Sequence, residues 1–213
     1  MTAQSDLEAF DRQVQTLIAK GYPAIAGMTP EAFAERLEPL KLPLKRHVSE
    51  HPAGDGRVPF VLVIPQAWVT LEDAMPLTAL KERNGFIDFK PGGLETFKPL
   101  PELGVPEEGP YLAFGLETGS EYRNVTPDDA LSAIRARERT PLTLEEGIAL
   151  LTQFPETLKK NHCYSLAGSR SQDRRVPALW ISQLRPKLGW CWAGNPHTWL
   201  GTAFCSGRVG EEA

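Results

Sequence analysis

The stretch KLGWCWAGNPHTWLGTAFC, residues 187–205, constrains the fold more than any other part of the chain. Bulky and small residues alternate along it with period two, which places them on opposite faces of a strand. Gly194, Asn195, Pro196 and His197 have turn composition, so the stretch predicts a hairpin of 187–192 against 198–205. In that register Leu188, Trp190 and Trp192 share one face and Gly189 and Cys191 the other, while Trp199, Gly201, Ala203 and Cys205 line one face of the returning strand. Small residues opposite large rings suit a tapered core, and they equally suit a cup for a planar ligand.

Further strands are expected at RVPFVLVIP (57–65), where Pro59 stays at the start of an apolar run, and at GFIDF (85–89), 111–116, HCYSLAG (162–168) and 176–181. Helix signals fall before and between them. Ser5 with Glu8 matches a capping box for a helix over 5–20 that carries Leu7, Phe10, Val14, Leu17 and Ile18 on one stripe and stops at Gly21. Thr29 and Pro30 open a second helix bearing Phe33 and Leu37, followed by a connection through Pro39 and Pro43 to His51 and Pro52. A short helix is expected over 72–79 and a turn at KPGG (90–93). Thr126 caps a helix through Ile134, and Thr143 with Glu146 boxes another that ends at Pro155.

This interleaving predicts an α+β fold: a mainly antiparallel sheet, helices packed on one face, and an N-terminal helical pair. A chain of 213 residues, 41% of them hydrophobic, supports one substantial core. The expectation is a single domain over 1–213, with 1–45 a helical layer and 57–206 the main body.

The net charge of -4 favours solubility without naming a partner. It is unevenly spread, because residues 161–210 carry six basic side chains against one acid, Asp173. Three widely spaced cysteines without a CxxC argue for free thiols. The N-terminus carries acids where a signal peptide needs bases, and no apolar run approaches the length of about 18 residues that suggests a membrane span. A cytoplasmic protein with no membrane partner is expected. KPGG lacks the surroundings of a phosphate loop, and no cofactor motif is present. His162, Cys163, Cys191, His197 and Cys205 have no compact zinc spacing, so no metal is expected. Nucleic acid is not expected either, since no reading helix or extended basic-aromatic surface is written in the chain.

Two stretches carry candidate chemistry. In the loop GSRSQDRR (168–175), Arg170, Arg174 and Arg175 could hold a phosphate or carboxylate. Trp190, Trp192 and Trp199 could border a ring, with His197 and Asn195 orienting it. Together they point to a small anionic, partly planar ligand. The enzyme alternative uses His197 as base with Cys191 or Cys163 as nucleophile, which requires a directed hydrogen bond and an electropositive setting. A third alternative is a structural or interaction module, including a homo-oligomer through the N-terminal helices.

The stretches TPDDALSAIRAR, PLTLEEGIALL, DRRVPALWIS and PKLGWCWAGNPHTWLG together resemble an uncharacterised family frequent in actinobacteria and related soil bacteria, over residues 58–205. The resemblance implies a single bacterial domain and transfers no functional residue.

Overall fold

The computed structural model describes residues 3–47, 54, 56–89, 93–106 and 109–211. Helix α1 (Ala3–Ala19) begins ahead of Ser5, which therefore lies inside the first turn instead of capping it. After Gly21, in the left-handed region at φ 85°, come α2 (Tyr22–Ile25) and α3 (Pro30–Leu37), where the Thr29 hydroxyl accepts from the Ala32 amide at 3.2 Å. The proline-bearing connection expected next is itself helical, with a 3-10 turn at Glu38–Leu40 leading into α4 (Lys41–Arg46). Pro39 and Pro43 each fall in a first turn, where a missing N–H costs no helical bond. His51, Pro52 and most of the KPGG turn lie outside the described residues.

The body continues with β1 (Arg57–Val63), α5 (Leu71–Ala74), β2 (Ala79–Leu80), β3 (Arg83–Asn84), β4 (Phe86–Ile87), β5 (Lys98–Pro99) and β6 (Tyr111–Glu117). Then follow α6 (Pro127–Ala136), β7 (Thr140–Pro141), α7 (Leu144–Gln153), β8 (Cys163–Ser165) and β9 (Ser169–Arg170). The final elements are β10 (Arg175–Ser182), β11 (Arg185–Trp192), β12 (Leu200–Thr202), β13 (Phe204–Cys205) and β14 (Gly207–Gly210). One sheet runs β1-β6-β13-β7, with β14 also on β6; the other runs β12-β8-β10-β11-β4. Two ribbons, β2-β3 and β5-β9, complete the fold. Most pairings are antiparallel, but β12 lies parallel to β8 and β11 parallel to β4.

The expected hairpin over 187–205 is not formed. The hairpin is instead β10-β11, paired from Arg175 opposite Trp192 to Ser182 opposite Arg185 and closed by Gln183 and Leu184. Both turn residues have positive φ, 53° and 61°, the type I′ geometry that matches strand twist. That twist requirement outranks the local preference of Gln and Leu, and the Asn-Pro stretch becomes a crossing loop. Beyond it, the chain pairs with β8, leaves that sheet at Ala203 and continues along β6. Ala203 is bonded on both sides, its N–H to Ser165 and its carbonyl accepting from Leu142.

The core lies against these sheets. Phe10, Val14 and Leu17 of α1 are buried and Leu7 is half-buried, so the apolar stripe of this helix is spent within the monomer. Gln13 reaches the open edge of β1, its amide donating to the Phe60 carbonyl at 3.0 Å and accepting from the Leu62 N–H at 2.8 Å. The capping box of α7 doubles as an ion-pair site: Glu146, fully buried, accepts from the Thr143 amide at 2.8 Å and from Arg208 of β14 at 2.8 Å. Arg208 also donates to Thr140 and to the Pro141 carbonyl, which satisfies the charge that burial would otherwise make costly.

Candidate functional site

The β10-β11 hairpin places Trp180 opposite Lys187, beside Gly189 of the partner strand. A Cβ at Gly189 would stand 2.1 Å from Cη2 of Trp180, so the missing side chain is what lets the indole lie across the strand. The crossing loop after Trp192 brings Trp199 onto this ring, edge to face at 6.1 Å. Backbone bonds hold the loop in place: Asn124 donates to the His197 carbonyl at 2.8 Å, Asp128 to Ala193 at 3.1 Å, and Ala193 to Arg174 at 3.0 Å. The loop thus starts against the GSRSQDRR segment and ends over Trp180.

Trp180 and Trp199 form a wall shared by two cavities. The larger, about 850 Å³, is bounded by Leu80, Lys81 and Arg83 of the β2-β3 ribbon, by Leu158, Lys160, Asn161 and Cys163, and by Ile181, Gln183 and Leu184 of the hairpin tip. The smaller, about 260 Å³, is lined by Ala178, Trp190, Cys191, Trp192, Asn195, His197 and Leu200 besides the two shared tryptophans. The larger volume lies in the range usual for small-molecule sites. Its lining holds three cations and no carboxylate. Among the described residues no acid pairs with Lys81, Arg83 or Lys160.

The arginines expected to meet an anion are engaged elsewhere. Arg170 and Arg174 both reach Asp128, at 3.0 and 2.7 Å. Burial lowers the Arg170 pKa, an effect that Asp128 opposes. Arg175 bonds both carboxylate oxygens of Asp173 at 2.9 Å and lies over the rings of Trp190 and Phe97. The hydrogen bonds from Arg175 and Ser171 hold Asp173 down at about 2. The GSRSQDRR loop is therefore locked by its own and neighbouring carboxylates.

The thiols are protonated at neutral pH. Burial pushes Cys191 up to about 12 and also raises Cys163, whose thiol donates to the Lys159 carbonyl at 3.5 Å. His197 and Cys191 line the same small cavity, yet among the described residues no hydrogen bond joins the imidazole to a thiol. The ring of His197 instead stands 5.4 Å from that of Trp199. Burial holds both thiols in the protonated form, and among the described residues no directed hydrogen bond from His197 activates them. Among the described residues no three His, Cys, Asp or Glu side chains converge as a metal site requires.

Of the residues singled out from sequence, Trp190, Trp192, Trp199, Asn195, His197 and Cys191 gather around the small cavity, and Cys163 and Trp199 around the large one. The missed residues are Trp180, Lys81, Arg83 and Lys160. Trp180 was visible as the bulky residue of VPALWIS; the lysines look like any solvated charge until the ribbon and the strand are placed face to face. No helix among the described residues is long and apolar enough to cross a membrane. Neither a curated protein nor a solved structure matches the chain. A family of unknown function, DUF5701, matches residues 16–211, and the chain belongs to that family.

Proposed function

We propose that this protein binds a small anionic, partly planar ligand in the cavity between the Trp180–Trp199 pair and the β2-β3 ribbon. The observation that carries this reading is the lining itself: two indoles in edge-to-face contact, with Lys81, Arg83 and Lys160 around them and no acid paired with any of the three among the described residues. Indole faces offer a planar partner dispersion and quadrupole attraction, and cations without carboxylates leave a positive field that an anion neutralises. The cations differ from those of the GSRSQDRR loop because each of the latter is already paired with Asp128 or Asp173.

Tryptophan fluorescence tests this directly, with 1-naphthoate as probe and 1-naphthalenemethanol as its uncharged counterpart. Naphthoate is expected to bind more tightly. Trp199→Ala should weaken both probes by up to about tenfold, the size of one aromatic contact. Replacing Lys81 and Lys160 together by Ala should weaken naphthoate alone. Equal affinity for the two probes, unmoved by these changes, would remove the anion from the proposal.

A further inference from the structure

Arg83 and Gln183 line the large cavity and also a second one of about 300 Å³, whose remaining walls are Asn84 and Arg185. Its lining is two guanidinium groups and two carboxamides, with no acid. Arg83 spends one bond on the Gln183 carbonyl, at 3.4 Å. Arg185 stacks its guanidinium 4.2 Å over Phe86, while its Nε is buried without a partner. The neighbouring cation on β11, Lys187, pairs with Asp88; no acid among the described residues pairs with Arg185. An arginine held flat against a ring, with no acid partner among the described residues and lining one cavity with a second arginine, is preorganised for an oxyanion.

From this geometry we infer an oxyanion subsite at Arg83 and Arg185, which makes the ligand of the adjoining cavity a phosphorylated planar compound of the aryl phosphate or mononucleotide class. The inference rests on the binding reading above, since the two cavities share Arg83 and Gln183 as their common wall. Phosphate fits better than carboxylate because a single arginine already satisfies both carboxylate oxygens in bidentate fashion. Two guanidiniums and two carboxamide N–H₂ groups match three terminal oxygens and a charge approaching two.

The test compares 1-naphthyl phosphate with 1-naphthoate by fluorescence, and titrates inorganic phosphate alone by calorimetry. The phosphate ester should bind about tenfold or more tightly than the carboxylate, the scale of added charge-assisted hydrogen bonds. Arg185→Gln should erase that difference while leaving naphthoate affinity in place. Arg185→Lys, which keeps the charge and loses the planar fork, should retain only part of it. If naphthoate binds and the ester gains nothing, or gains equally in Arg185→Gln, the subsite is overturned and the ring cavity stands. If inorganic phosphate binds, is lost in Arg185→Gln, and neither aromatic probe binds, the subsite stands and the ring cavity is overturned. Binding of none of the three overturns both.

Discussion

Gln13 acts as a one-residue strand. Its carboxamide has the same donor and acceptor as a peptide unit, and it satisfies the Phe60 carbonyl and Leu62 N–H on the edge of β1 that no strand covers among the described residues. An open edge is a pairing hazard, and an isosteric amide from a packed helix closes it without adding a strand. Gln13→Leu leaves both backbone groups buried and unpaired, so chemical denaturation should show a loss of about 1–3 kcal/mol. Gly201 shows the opposite economy, in which nothing but hydrogen will fit: a Cβ there would stand 2.2 Å from the Gly119 carbonyl oxygen, where two backbone segments cross. Neither role is written in the local sequence. Gln13 sits inside a helical stripe and Gly201 inside a strand pattern, and their partners are 47 and more positions away.

At the scale of elements, legibility follows the range of the interaction that decides each one. The helices capped by Thr29, Thr126 and Thr143 are readable because the cap and the backbone N–H that donates to it lie within one turn. The β10-β11 turn is not, because Gln183 and Leu184 adopt positive φ against their own preference, held there by a ladder eight residues long on each strand. Leu184 is also 70% exposed and lines the mouth of the large cavity. A left-handed, solvent-facing leucine costs stability, and strain of this kind is kept where it serves a site. Leu184→Gly is accordingly expected to raise stability by about 1 kcal/mol, seen as a higher melting temperature, while weakening 1-naphthoate binding. A variant that melts lower would show that the leucine side chain supports the tip by packing.

Across the whole molecule, the sheet and helix composition of the fold was readable, whereas the partition of its strands between two sheets was not. Residues 198–205 carry one unbroken alternation, and nothing in it marks Ala203 as the point of departure from one sheet to the other. The site suffered the same limit: its tryptophans stand out by residue type, but its cations are defined only by the carboxylates they lack. Desolvation in the core also sets the response to alkali. Burial raises Cys191 and Cys205 from 9.0 to about 12, so both are protonated in either state below about pH 9 and contribute no pH dependence there. Between pH 9 and 12 the unfolded chain releases these protons and the folded chain keeps them. Stability should therefore fall with rising pH across that window, and Cys191→Ala should flatten the decline measured by denaturant unfolding.

The chain between Leu200 and Gly210 belongs to both sheets, handing over at Ala203, whose N–H and carbonyl are each bonded to a different neighbour. Such a segment acts as a shared spine. Peeling it away exposes the edge of β8 and the edge of β6 in a single event, so an opening that begins in one sheet cannot stop at its border. The amides of the two sheets are consequently expected to exchange with solvent through a common opening, with similar protection on β8 and β6 measured by hydrogen exchange.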